Sequence, residues 1–258
     1  MPGFSADELT TVFRRLQDEG WDAILVGGQA VNVWAHHYEK DTPAWRELRP
    51  YTSLDLDYYG GLAEARLAMR VLGATGRLNT AGDPSPNAGV LQVSLADGRA
   101  LLVDVLTGVF GLSAAELERT AVSLSGTAAL SGVTLRVIHP LLLLEAKAAA
   151  LRGLPQADRQ DAKHLKIVIL VVREWLKGQL GDPRVVFRAV ERLATLVASP
   201  DGVQAFARGI DLLKAVPMEE MRAAPGFEPF FQQRLPQLID KITRKRARHL
   251  EAIQEHNP

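Results

Sequence analysis

The sequence predicts an α+β protein in two parts: a mixed α/β domain over residues 1–138 and an all-helical domain over residues 139–258. Three observations carry this expectation. Segments alternating with period two, the mark of half-buried strands, occur only in the first part. An apolar run there ends in a glycine pair and passes straight into helical spacing. From His139 onward only helical spacing recurs, interrupted at clusters of turn-forming residues.

Taken in order, Ser5 and Glu8 have capping-box spacing, and Leu9, Val12, Phe13 and Leu16 then recur at helical intervals, predicting a helix over 6–19. Ala23 to Val26 reads as a short strand ending at Gly27-Gly28, with QAVNVWAHH as the helix that follows. Residues 39–51, with mixed charges and two prolines, read as a connecting loop before the alternating strand SLDLDYY. Gly60-Gly61 ends that strand and LAEARLAMRVLG supplies another helix. NTAGDPSPNAG is dense in turn formers and predicts a surface loop. In VLQVSLADGRALLVDVL, Asp97-Gly98 sits between two β-compatible runs, which predicts a hairpin. Short strands are expected near 121–124 and 133–137. The helices beyond are expected to break near GLPQ, GQLGDP, ASPDG, VPMEE and APGFEP.

At 47% hydrophobic and 23% charged residues, the chain has the composition of a globular protein with a sizeable core. Its formal net charge is zero, so no overall basic field points to nucleic acid, and any such contact has to be local. The absence of cysteine excludes disulfides, zinc ribbons and thiol nucleophiles. MPGFSADELT lacks the pattern of a signal peptide, and the longest apolar run, Ile167 to Val172, falls far short of the ~20 residues of a membrane span. A cytoplasmic protein without membrane contact is expected.

Chemistry concentrates in four places. Asp55 and Asp57 alternate with Leu54 and Leu56, so both carboxylates leave one strand face about 6 to 7 Å apart. Two like charges so placed call for a cation such as Mg2+, unless they are simply solvated on an exposed face. Asp104 interrupts the apolar run LLVDVL, where an unpaired charge is expensive to bury; it is either an edge-strand charge or a partner of the first two acids. If its strand lies beside SLDLD, three carboxylates converge as two-metal phosphoryl transfer requires. Gly27-Gly28 is either a tight turn or a backbone cradle for phosphate at a helix N-terminus. In the helical part, Lys147 and Asp161 by residue type alone are charged residues of amphipathic helices, Asp161 being a solvent-facing acid in a first turn where the dipole favours it.

This order, a glycine pair in a strand-to-helix turn, D-x-D on the next strand and a lone acid on a later one, resembles the nucleotidyltransferase superfamily with the DNA polymerase β-like fold. The resemblance covers roughly residues 6–106. It implies a nucleotidyltransferase-like mixed sheet with flanking helices. It also implies that Gly27 and Gly28 hold the triphosphate of an NTP, that Asp55 and Asp57 bind two Mg2+ ions, and that Asp104 binds the second ion and helps activate the attacking hydroxyl. Many members carry Gly-Ser at the turn; Gly-Gly occurs in the AbiEii-like toxin branch. That branch also carries a lysine and a later helical aspartate after the catalytic domain, which Lys147 and Asp161 resemble, although His164 stands where a second acid is usual. The implied activity is transfer of an NMP to an acceptor hydroxyl. The acceptor would be RNA such as the tRNA 3′ end, with an antitoxin protein as partner, or else a small molecule or protein side chain. A non-catalytic nucleotide- or partner-binding module of the same fold is the alternative.

Other features carry less. His36-His37 lacks the i, i+4 spacing that brings two metal ligands to one helix face. Trp34 and Trp45 read as core aromatics more readily than as base-stacking platforms. Arg49 is a loop arginine. Lys241, Arg244, Lys245, Arg246 and Arg248 could grip RNA phosphates or form a solvated helix face balanced by Glu251 and Glu255.

Overall fold

The computed structural model describes residues 3–80, 82, 83, 85–126, 128–157 and 159–255. The chain divides into two compact units, Met1–Ala146 and Lys147–Pro258.

In the first unit, the Ser5–Glu8 capping box forms as expected: the Ser5 N–H donates to Glu8 Oε2 at 2.8 Å and the Glu8 N–H to Ser5 Oγ at 3.3 Å. The helix it opens is a 3-10 turn, Asp7–Leu9, continued by α1, Thr10–Asp18, whose Val12, Phe13 and Leu16 are buried. Strand β1 is only Ile24–Leu25, and α2, Gly27–Tyr38, begins on the first glycine itself. The connecting segment contains one short helix, α3, Pro43–Arg46. Then come β2, Asp55–Tyr59, and α4, Leu62–Leu72, closed by left-handed Gly73.

Strand β3, Thr75–Leu78, was not expected from the sequence, because TGRL is mostly exposed and shows no apolar alternation. The predicted hairpin forms from β4, Asn87–Ser94, and β5, Ala100–Leu106, paired antiparallel around Gly98 at φ +84°. The loop before it contains Ala81 and Pro84, which lie outside the described residues. Helix α5, Ala114–Thr120, also unexpected, precedes the antiparallel pair β6, Val122–Ser125, and β7, Thr134–Val137. Helix α6, Pro140–Gly153, runs through the division between the units. Strands end at Val137, where the sequence places its boundary, whereas compactness divides the chain at 146/147, within α6.

The result is an α+β arrangement with one mixed seven-stranded sheet, ordered β3-β4-β5-β2-β1-β7-β6. β2 pairs antiparallel with β1 but parallel with β5, and β1 pairs parallel with β7. Leu56, Tyr58, Leu91, Val93, Leu101, Val103 and Val105 are fully or nearly fully buried, while their alternating neighbours on β2, β4 and β5 are not. One face therefore packs into the core, where Ala65 of α4 clusters with Ala88 and Val105. The other face carries the polar residues.

The described elements that begin in the second unit are all helical. α7, Asp161–Gly178, α8, Pro183–Val197, α9, Pro200–Ala207, and α10, Met218–Ala223, are followed by a π-helical turn, Phe230–Arg234, that continues into α11, Leu235–Glu255. Their breaks fall at the predicted glycine and proline clusters. Asp182 caps α8, accepting from the Arg184 N–H at 3.0 Å ahead of Pro183 at the first helical position.

Among the described residues no helix is long and apolar enough to cross a membrane.

Candidate active site

The parallel pairing of β2 with β5 brings the three sheet carboxylates together. Asp57 and Asp104 are direct cross-strand partners, and Asp55 is opposite Leu102. Opposed residues of a ladder project to the same side, so Asp55, Asp57 and Asp104 share the polar face, on strands about 4.8 Å apart. All three are half-buried.

Gly27 lies against this group. Its φ is +65°, and a β-carbon there would stand 1.9 Å from Asp57 Oδ2 and 2.7 Å from Asp57 Cγ. Any larger residue would therefore collide with the carboxylate as well as adopt a left-handed conformation disfavoured for side chains. The preceding Val26 N–H donates to the Asp57 carbonyl at 2.9 Å, tying the turn to β2. No side chain caps α2, so the helix that starts on Gly27-Gly28 opens with uncapped first-turn N–H groups beside Asp57.

Asp104 has a buried Oδ1 with no hydrogen-bond partner. Burial first, and the neighbouring charge of Asp55 second, push its carboxyl above the usual carboxylate range. Asp55 itself is held by Ser53, whose Oγ donates to Asp55 Oδ1 at 2.9 Å. Ser53 is fixed in turn by a two-way backbone bridge to Phe4, at 2.7 and 3.0 Å. The Phe4 carbonyl also accepts from Gln29 Nε2 at 2.9 Å, and Gln29 Oε1 accepts from Asn32 Nδ2 at 3.0 Å, both amides being fully buried in α2. Sequence reasoning missed Ser53, Gln29 and Asn32. The available signal was two amides at i, i+3 inside an apolar helix, and a serine two residues before the first acid.

Among the described residues no group of three His, Asp or Glu side chains stands ready to grip one metal ion. The donors nevertheless suit a divalent cation: the orphaned Asp104 oxygen lacks a positive partner, and Asp55 beside it adds charge that such an ion would offset.

In the second unit, Lys147 and Asp161 meet directly, Lys147 Nζ lying 3.1 Å from Asp161 Oδ1. Both are buried, and Asp161 is 1% exposed, so it is not the solvent-facing acid that its first-turn position allows. Arg159 Nε and, at 3.4 Å, Gln156 Nε2 donate to Asp161 Oδ2. Burial alone would raise the Asp161 carboxyl, but the Arg159 hydrogen bond and the Lys147 charge outweigh it and hold the group below its usual range. His164 is buried one turn further along α7.

The remaining candidates take structural places. Trp34 is buried, donates Nε1 to the Ile138 carbonyl at 2.8 Å and stacks on Tyr38. Trp45 is buried edge-on to Tyr51. His36 packs edge-on to Tyr51 and His37 to Trp34, with burial lowering the His37 pKa. Arg49 pairs with Glu39. On α11, Arg246 pairs with Asp211 at 2.7 Å over the Phe206 ring and Arg244 pairs with Asp240, whereas Lys241, Lys245 and Arg248 are exposed. The side chains of Glu251 and Glu255 lie outside the described residues.

Comparison with protein-family models, curated proteins and solved structures finds no match to this chain.

Proposed function

We propose that the protein is a metal-dependent nucleotidyltransferase that moves an NMP from an NTP to an acceptor hydroxyl. The observation that carries this reading is the direct pairing of Asp57 with Asp104 beside a glycine turn that admits no β-carbon. A mere acidic strand has no need of an acid opposite it on the next strand, nor of a bare, uncapped helix start against its second carboxylate.

In this reading the first-turn N–H groups of α2 receive the triphosphate, favoured by the positive helix end. Asp55, Asp57 and Asp104 would hold Mg2+, which when bound neutralises the phosphates and stabilises charge on the attacking and leaving oxygens. Ser53 keeps one Asp55 oxygen in a fixed direction. Asp104, opposite Asp57 on the neighbouring strand, would also help activate the attacking hydroxyl. Lys147 enters as a phosphate-binding residue only through the family resemblance, with Asp161 orienting it; the AbiEii-like role, with tRNA as acceptor and an antitoxin as partner, has the same standing.

The test has two parts. Calorimetric titration of each NTP with and without Mg2+ should show Mg2+-dependent binding that Asp57→Ala abolishes. Incubation with labelled NTPs and RNA, protein or small-molecule acceptors should then transfer label with wild type and not with Asp57→Ala. Mg2+-dependent binding without transfer to any acceptor would leave a nucleotide-binding module, and absence of both would sink the proposal.

A further inference from the structure

Residues 3–8 reach every part of the site. Phe4, only 4% exposed, pairs with Ser53 just ahead of β2: its N–H donates to the Ser53 carbonyl at 2.7 Å, and its own carbonyl accepts from the Ser53 N–H at 3.0 Å. Gly3 lies so close to this segment that a β-carbon there would stand 3.0 Å from the Ser53 carbonyl oxygen and 3.1 Å from Thr52 Cβ. The second lone pair of the Phe4 carbonyl accepts from Gln29 Nε2 at 2.9 Å, directly after the Gly27-Gly28 turn. One buried carbonyl thus joins the segment leading to Asp55 with the helix start beside Asp57.

The strand of the third acid is joined through Arg99. This half-buried residue stands at the turn of the β4–β5 hairpin, immediately before the strand that bears Asp104. Its guanidinium lies 4.5 Å from the centre of the Phe4 ring, and it donates from Nε to Asp97 Oδ2 at 2.7 Å and from Nη2 to Glu8 Oε1. Glu8 closes the Ser5–Glu8 capping box, so one arginine holds both ends of residues 4–8. A flat cation over an aromatic ring, kept there by two carboxylates, fixes the ring and with it the Phe4 backbone.

Burial of Phe4 in a core would need none of this polar connection. The contacts run from Arg99 through Phe4 to Ser53, and end on a carboxylate of the polar sheet face, where Ser53 Oγ donates to Asp55 Oδ1 at 2.9 Å. Resting on the nucleotidyltransfer reading, we propose that residues 4–8 form a clamp on the site and that Arg99 is the positioning residue that closes it. By fixing Phe4, Arg99 sets, through Ser53, the direction in which Asp55 presents its oxygen to Mg2+. Without Arg99 all three acids remain, but Ser53 loosens, Asp55 turns more freely and the ion is held less tightly.

The experiment uses the full chain and two readouts. Hydrogen exchange detected by NMR follows the Ser53 amide, and calorimetry follows the Mg2+ concentration at which ATP, GTP, CTP or UTP binding is half-maximal. In Arg99→Ala the Ser53 amide should exchange at least about threefold faster while amides of the β2–β5 ladder keep their rates. The half-maximal Mg2+ concentration should rise about fivefold, less than for loss of a direct partner of a metal ligand. Arg99→Lys, which keeps a charge for Glu8 and loses the flat face on Phe4, should recover part of both changes. Phe4→Leu, which stays apolar without a ring, should shift both in the direction of Arg99→Ala. In a Ser53→Ala background, Arg99→Ala should add less than about twofold to the Mg2+ requirement, because both act on Asp55 by one route. An unchanged Ser53 exchange rate, an unchanged Mg2+ requirement, equal acceleration across the ladder, or the full loss repeated on top of Ser53→Ala each overturns the clamp while leaving nucleotidyl transfer standing. Failure of the wild type to bind any of the four nucleotides removes the underlying reading, and the clamp with it.

Discussion

Gly27 stands so close to Asp57 that a methyl group at the first position would occupy the space of the carboxylate oxygen, 1.9 Å away. Gly27→Ala should therefore fail twice. The left-handed backbone costs about 1–2 kcal/mol in stability, and displacing Asp57 should abolish Mg2+-dependent NTP binding. Urea unfolding and calorimetry read the two effects separately. Wild-type NTP affinity in this variant would show that the contact has no part in the site.

Asp104 should make stability respond to pH in the sense opposite to an ordinary paired carboxylate. Its folded-state pKa lies above the unfolded value, so its favourable contribution is complete below about pH 3.9 and is lost as pH rises through the raised value. Asp104→Asn should consequently raise the melting temperature at pH 7, with the gain shrinking toward pH 4. Mg2+ should stabilise wild type at pH 7 and Asp104→Asn much less. Equal Mg2+ stabilisation of both proteins would place the ion elsewhere.

Ser53 acts on Asp55 through one hydrogen bond of 2.9 Å. Ser53→Ala should leave the fold intact and weaken the apparent Mg2+ affinity of the NTP complex roughly tenfold. Ser53→Thr, which keeps a hydroxyl, should restore part of that affinity. If the alanine variant changes stability alone and not Mg2+ dependence, the hydroxyl serves the fold and not the site.

The Lys147–Asp161 pair should be strongly coupled in the fold whatever its part in chemistry. Asp161→Ala leaves a buried ammonium uncompensated, at about 3–5 kcal/mol, whereas Lys147→Met combined with Asp161→Leu should lose less than the single changes summed. A double-mutant cycle in urea measures this. Because Asp161 titrates below its usual range, its stabilisation is present above about pH 3.9 and is lost as pH falls through the lowered value. Additive single changes would contradict the observed contact.

The sequence was most readable where local pattern and tertiary demand coincide. DLDYY alternates because β2 buries Leu56 and Tyr58 and turns its acids to the other face, so one pattern announces both strand and site, although Leu54, just ahead of the strand, is exposed. Asp97-Gly98 announced the hairpin because a left-handed glycine is a local requirement. β3 escaped because TGRL owes its strand state to pairing with β4 and not to burial of its own side chains. The buried amides Gln29 and Asn32 were hidden for a related reason. Their partners, including the Phe4 carbonyl, are distant in sequence, and nothing in α2 alone requires them. Asp161 could not be settled from its position alone, since a first-turn acid is usually solvated but this one is enclosed by Lys147, Arg159 and Gln156.

The parallel pairing of β2 with β5 has a consequence for how the site comes into being. α4, β3 and β4 all intervene between Asp57 and Asp104, so the two acids meet only when a long loop has closed and its entropy has been overcome by the surrounding sheet. A chain extended through β2 already owns the glycine turn and two of the three acids, yet it has no third ligand to complete the set. The chemistry proposed here thus switches on with the closure of the sheet, as a property of the finished topology and not of any one segment.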